Sequence, residues 1–462
     1  MSRTPAPPRW IERLRAAGVF RWLTIGIGVK RWIVVLLAGT TLIGLGLAYV
    51  LIDVYRDVPL PGIFYYVTLQ FLPHLVRGLI LGAAGLALIG ISLIRTGQSL
   101  LAPFERPGNV PIAEAMLQHR QRGRGPKIVA IGGGTGLSTL LRGIKLYTSN
   151  ITAIVTVGDD GGSSGRLRRE MGILPPGDFR QCIAALANDE ALTTHLFKYR
   201  FNTRETGEDA TGLGGHAFGN LFIVAMANIT GSFESGLAES SRVLAVRGRV
   251  LPATVTPLIL VGDLRDHQTN AVRRVEGESV ITHAGATIVH LSIRPEDVHA
   301  YPDAIRAILD ADLIALAPGS LFTSLLPNLL VPGIAEAIRA ARGVCVYVCN
   351  VATQHGETMH FTIDDHLKTI EQYVGAGLVD AVIANSRGGI DWVDIPSGVG
   401  EMIAFEPGGS RKPPIFGYDV IDEAAPWRHD SPKLALALME TLGRLRLQPP
   451  RGRGRNRRIR PL

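Results

Sequence analysis

Between Lys127 and Ala384, short unbroken apolar runs alternate with stretches of helical periodicity, and that rhythm leaves the chain few architectures. The runs cover residues 128–131, 151–157, 258–261, 313–317, 344–348 and 379–384. A strand with one wet face alternates polar and apolar residues, whereas a run apolar at every position must be covered on both faces. These runs predict a mostly parallel, doubly wound α/β sheet with helices on both faces. Helices are expected over 137–146, 179–187, 191–201, 218–229 and 233–244. From 272 to 293 the rhythm breaks into short extended segments punctuated by glycine, which reads as an antiparallel excursion.

Three of the runs end in turns suited to an anion. The first closes on Gly132, Gly133, Gly134, Thr135 and Gly136, too dense in glycine for the G-x-G-x-x-G spacing and without the G-K-[ST] of a P-loop. Bare N–H groups at a strand-to-helix turn can receive phosphate, although a tight turn alone explains glycines equally well. The second closes on Asp159, Asp160, Gly161, Gly162, Ser163 and Ser164, followed by Arg166, and combines carboxylates, hydroxyls and cations in one helix start. Asp159 and Asp160 are candidates to hold Mg²⁺ against phosphate oxygens or to accept ribose hydroxyls, with simple attraction to a helix N-terminus as the alternative. The third turn offers Gly319, Ser320 and Thr323. In a doubly wound sheet the three would share one edge, where ligands bind.

Further candidates are weaker singly. Asp178 precedes a helix and reads first as its N-cap, while Arg180, one turn in, reaches toward a pocket. His216 and Asn220 lie one helical turn apart and can address a base or sugar. Asn350, Thr353 and Gln354 follow a buried run. The histidines His355, His360 and His366 lack a zinc register, and neither a Ser/His/Asp order nor a kinase signature is present, so covalent catalysis is not indicated.

The ends of the chain differ from its middle. Residues 33–52 form an uncharged apolar run long enough to cross a bilayer, since ~20 residues at ~1.5 Å rise give ~30 Å. A second run, 78–94, is shorter and rich in glycine. With arginines before the first and after the second, they predict a two-helix transmembrane hairpin with both termini and the main domain in the cytoplasm. The expected segments are a basic lead (1–32), the hairpin (33–94), a linker (95–125), one large domain (126–447) and an arginine-rich tail (448–462). The net charge of +8 lies largely in the two ends, which suits anionic lipid better than nucleic acid. Cys182, Cys345 and Cys349 are odd in number and sit in apolar surroundings, so free thiols are expected.

Several motifs together, in fixed order, resemble one family. They are IVAIGGGTGL (128–137), DDGGSSGRLR (159–168), PPGDFR (175–180), GHAFGNL (215–221), VEGES (275–279), PGSLFTS (318–324) with PNLL (327–330), and NVATQHGET (350–358). The chain resembles the gluconeogenesis factor (YvcK) group, relatives of 2-phospho-L-lactate transferase (CofD), from about residue 126 to 417. It departs from the family pattern at Gly158, Ala217, Ala317 and His355, where Ala, Ser, Gly and Pro are usual. The resemblance implies a cytoplasmic regulator that binds UDP-N-acetylglucosamine, a nucleotide diphosphate, and bears on cell shape and wall-precursor supply. It requires no cofactor, with Mg²⁺ as an option, and a homo-oligomer is expected. The other branch implies a phosphotransfer enzyme with a guanylylated donor, a deazaflavin acceptor and metal at the aspartates.

Overall fold

The structure, a computed structural model, describes residues 37–48, 62–63, 66, 69, 71–101, 122–188, 190–201, 212–388, 395–406 and 413–447. The chain divides into two compact units, 1–121 and 122–462.

In the first unit the helix His74–Leu101 contains an 18-residue stretch, Leu75–Ser92, of mean hydropathy 2.0 with none of it buried. It is the straight helix among the described residues that is long and apolar enough to cross a bilayer. Its start at His74 takes Arg77 into the first turn. The earlier apolar run appears as the shorter helix Leu37–Ala48, and the rest of that run lies outside the described residues. So do the basic lead, most of the linker and the arginine-rich tail.

The second unit is built on a seven-stranded parallel sheet. In chain order its strands are β1 (Ile128–Gly132), β2 (Ile151–Val155), β3 (Arg249–Pro252), β7 (Leu313–Leu316), β8 (Val344–Val348), β10 (Ala381–Asn385) and β12 (Ile415–Tyr418). Across the sheet they run β12-β10-β8-β7-β1-β2-β3, and every neighbouring pair is parallel. The central strands β1, β2, β7 and β10 are buried at every position, as unbroken apolarity requires. Helices Gly134–Ile144, Gly177–Leu186 and Ser431–Leu447 bury Leu140, Leu141, Phe179, Ile183, Leu434 and Leu438 in the same core. The three cysteines are free and buried.

One expected strand joins a different sheet. Residues 258–261 open β4 (Ile259–Arg265), which pairs antiparallel with β5 (Val272–Glu276) and β6 (Thr287–Arg294) in a three-stranded sheet. The apolar stretch of β4 is short and gives way to Gly262-Asp263, too polar for a strand buried on both faces. The edge of the main sheet is taken instead by β3, whose exposed Arg249 and terminal Pro252 suit a strand with one free side. The excursion expected at 272–293 is β5, the helix Glu278–His283 and β6, and the remaining strands, β9 (Ala352–Gln354) and β11 (Val399–Met402), pair antiparallel with each other.

Candidate functional site

The chain builds β1, β2 and β3 toward one edge, then returns to build β7, β8, β10 and β12 toward the other. Strand order therefore reverses between β1 and β7, and ligands in such sheets bind outside the carboxyl ends of the strands at that reversal. The turns after these two strands touch. A Cβ on Gly136 would lie 1.9 Å from the Pro318 carbonyl oxygen, so only glycine lets the two backbones meet. Gly134 has φ +58° and opens the helix Gly134–Ile144, whose N-cap, Gly133, brings no side chain to its leading N–H groups. One of them, that of Gly134, donates to the Asp178 carboxylate.

Asparagines hold the two turns in place. The Gly319 N–H donates to Asn350 Oδ1 and the Asn350 amide donates to the Gly319 carbonyl, both at 2.8 Å. The amide of the buried Asn328 donates to the Gly132 carbonyl at 3.1 Å. Beneath the third turn, Glu357 accepts from the Phe322 N–H and the Thr323 hydroxyl. Burial raises its pKa and hydrogen bonds from Thr323, Phe322 and Ser320 oppose the rise. Ser320 and Thr323 are thus engaged with Glu357.

Beside the turns lies a chamber of about 410 Å³, onto which Thr135, Gly136, Gly319, Asn350, Thr353 and Gln354 all open. Two polar atoms in its wall, the Gln354 side-chain oxygen and the Trp427 indole N–H, are buried without a partner among the described residues. They offer one acceptor and one donor to an occupant. His429, also in the wall, has its Nε2 3.2 Å from the Cys349 carbonyl. As a carbonyl can only accept, that nitrogen carries the proton and the other ring nitrogen presents a lone pair. Burial depresses the His429 pKa to about 4 against the opposing pull of that carbonyl, so the ring is neutral.

The turn after β2 has another character. Asp159 Oδ1 accepts from the Gly161 N–H at 2.9 Å. Asp160 Oδ1 accepts from both the N–H and the hydroxyl of Ser279, 119 residues away, at 2.9 and 2.6 Å, and a Cβ on Gly277 would lie 2.4 Å from its second oxygen. Gly162, with φ +47°, starts the helix Gly162–Met171. Within that helix the buried Ser163 hydroxyl lies 3.0 Å from His216 Nδ1 and accepts from the Asn220 amide at 3.0 Å. His216 and Asn220 thus meet Ser163, and none of the three lines the chamber. Ser164 packs against Gly177, where a Cβ would come within 2.3 Å of its hydroxyl. Arg166 donates to the Gly214 carbonyl and Arg180 to the Phe197 carbonyl.

Asp178 does not cap its own helix, whose N-cap is Pro176; its carboxylate leans across to Gly134 instead. Burial, and then the charge of Asp159, raise its pKa to about 7. Burial, followed by Asp159, Asp178 and Asp160, takes Glu278 to about 9. Among the described residues no group of three or more His, Cys, Asp or Glu is arranged to hold a metal ion. Asp160 commits one carboxylate oxygen to Ser279. The cluster thus holds carboxyl groups that keep a proton near neutral pH.

A sequence-family model described as 2-phospho-L-lactate transferase CofD matches residues 128–391. The gluconeogenesis factor of Bacillus subtilis is 45% identical over 334 residues, which cover 69% of this chain and 99% of the relative. A relative in Nostoc sp. is 47% identical over 371 residues, 80% of this chain and 79% of its own length. The chain belongs to the CofD family, on its gluconeogenesis factor side. A crystal structure of a UPF0052 family member from Bacillus halodurans matches with TM-score 0.59 and 40% identity, covering 68% of this chain and 99% of that one. The CofD-family match ends at residue 391, yet part of the chamber wall, Pro396–Val399 and Trp427–His429, lies beyond it. Sequence reasoning missed these residues together with Thr139 and Thr282. Only the topological rule points to residues 427–429, because they lie on the loop that leaves the carboxyl end of β12.

Proposed function

We propose that the protein is a membrane-anchored regulator that binds a nucleotide sugar, with UDP-N-acetylglucosamine as its ligand, and that it acts in wall-precursor supply and cell shape. The observation that carries the reading is the chamber at the switch point. It joins open backbone N–H groups for a diphosphate to an unpaired acceptor on Gln354 and an unpaired donor on Trp427, which an amide-bearing base or acetamido group can satisfy. Of the predicted ligand residues, Thr135, Gly136, Gly319, Asn350, Thr353 and Gln354 line the chamber. A binder needs no metal and no nucleophile, and the reading uses neither. The membrane part rests on the helix His74–Leu101, with residues 33–52 as the proposed second span, both termini cytoplasmic and the basic ends on anionic lipid.

The test is thermal unfolding of the detergent-solubilised chain. At ~100 times its dissociation constant UDP-N-acetylglucosamine should add ~2.7 kcal/mol and emerge unchanged. Absence of a shift defeats the ligand assignment. Magnesium-dependent transfer from a guanylylated lactate or phosphoenolpyruvate to a deazaflavin establishes the enzyme instead. Membranes washed in high salt should retain the chain, since salt screens charges but leaves a spanning helix in place.

A further inference from the structure

A second cavity, of about 680 Å³, adjoins the chamber and shares with it Thr135, Thr139, Arg428 and His429. Four of its cations, Arg180, Lys198, Arg200 and Arg428, have no carboxylate within ion-pair distance among the described residues. A fifth, Arg142, is neutralised by Glu190, which also holds Lys145. The two carboxylates in the wall are bound to backbone: Asp422 accepts from the Ala424 N–H and Asp430 from the Lys433 N–H, the latter at the start of the helix Ser431–Leu447. Two further wall atoms, Arg180 Nε and the Thr194 hydroxyl, are buried with no partner among the described residues. Burial and then the charge of Arg200 lower the Arg180 pKa, while the charges of Asp178 and Asp159 pull the other way.

We propose that this cavity is a second ligand site, selective for a small phosphorylated sugar of the hexose phosphate class. Arg180 and Arg200 each give one donor to a carbonyl, of Phe197 and Gly215; a phosphate dianion meets their remaining donors and the Lys198 ammonium, and satisfies Arg180 Nε. The volume far exceeds that of inorganic phosphate, and Thr194, Gln181 and Thr135 place hydroxyl and amide groups around the remainder, which suits a frame of hydroxyls. Shared Arg428 and His429 make the occupant of one cavity a neighbour of the occupant of the other. The inference rests on the nucleotide-sugar reading only for the identity of that neighbour.

Calorimetric titration of the full chain in detergent tests it, with glucose 6-phosphate and inorganic phosphate as probes, each with and without saturating UDP-N-acetylglucosamine. Glucose 6-phosphate should bind in both conditions and more tightly than inorganic phosphate. Lys198→Glu and Thr194→Val should each weaken it by about tenfold or more, the scale of losing a charge-assisted or buried hydrogen bond, while nucleotide-sugar affinity stays within about twofold. No binding of either probe overturns the proposal, and so does binding that both variants leave unchanged. Equal affinity for the two probes overturns the sugar frame. Displacement of glucose 6-phosphate by the nucleotide sugar, with both affinities lost in the same variants, makes the cavity part of the first site. Retained glucose 6-phosphate binding in a chain that ignores the nucleotide sugar supports this inference and defeats the other reading.

Discussion

The turn after β1 and the turn after β2 begin from similar chemistry, a buried strand ending in glycines and hydroxyls at a helix start, and the fold uses them in opposite ways. The first presses against the turn after β7, where Gly136 meets Pro318, and its neighbours Thr135 and Gly319 open onto the chamber. The second turns inward: Asp160 is spent on Ser279, and Ser163 on His216 and Asn220. Rich side-chain chemistry marks the scaffold, and the plainer turn faces the chamber. A ligand needs donors left over, and the second turn has few.

Mutations can break this division. Gly136→Val should have the largest effect, about 3 kcal/mol or more of lost stability, because backbone must move to admit a Cβ 1.9 Å from a carbonyl oxygen; chemical denaturation measures it. Ser163→Ala comes next at about 2–3 kcal/mol, since it strands His216 and the Asn220 amide in a buried site. Asp160→Ala should cost about 1.5 kcal/mol through its two bonds to Ser279 and leave nucleotide-sugar affinity and its independence of magnesium intact. Loss of binding without loss of stability in this variant would reverse the roles of the two turns. Gly134→Val should cost only about 1–2 kcal/mol, the strain of a positive φ, yet remove the thermal shift given by UDP-N-acetylglucosamine.

The carboxyl cluster is tested through pH dependence. Asp178 and Glu278 have folded pKa values of about 7 and about 9, above the ordinary ~4 of the unfolded chain. The folded state therefore holds protons that the unfolded state releases, so stability declines as pH rises from ~4 through these values. The melting temperature should fall between pH 6 and pH 9, and Glu278→Gln should flatten that fall. A variant with the wild-type slope would place Glu278 outside the coupled cluster.

Much of this was legible in the sequence, for physical reasons that also mark where reading stops. Strands such as β1, β7 and β8 declare themselves because burial on both faces excludes polar residues, whereas β3 and β12, half-covered at the sheet edges, carry no such signature. The common edge of the three turns follows from parallel topology. Whether a side chain faces a ligand or a neighbour depends on partners distant in sequence, and Asp160 and Ser279 are 119 residues apart. Asp178 has the spacing of a helix cap, yet a helix packed against the neighbouring turn brings its carboxylate to Gly134. Trp427 and His429 have no motif around them; the chain's return past β12 alone sets them against the chamber.

The pairing of β1 with β7 sets a timetable for synthesis. Ile128 lies beside Leu313, and Lys127 bonds Asp312 across 185 residues. At ~5–20 residues per second a ribosome needs roughly 10–40 seconds to bridge that interval. The half of the chamber made first waits for Pro318 and Gly319, and Trp427 to His429 emerge about a hundred residues later still. The wall of the chamber is therefore assembled late, only once Trp427 to His429 join the turns after β1 and β7.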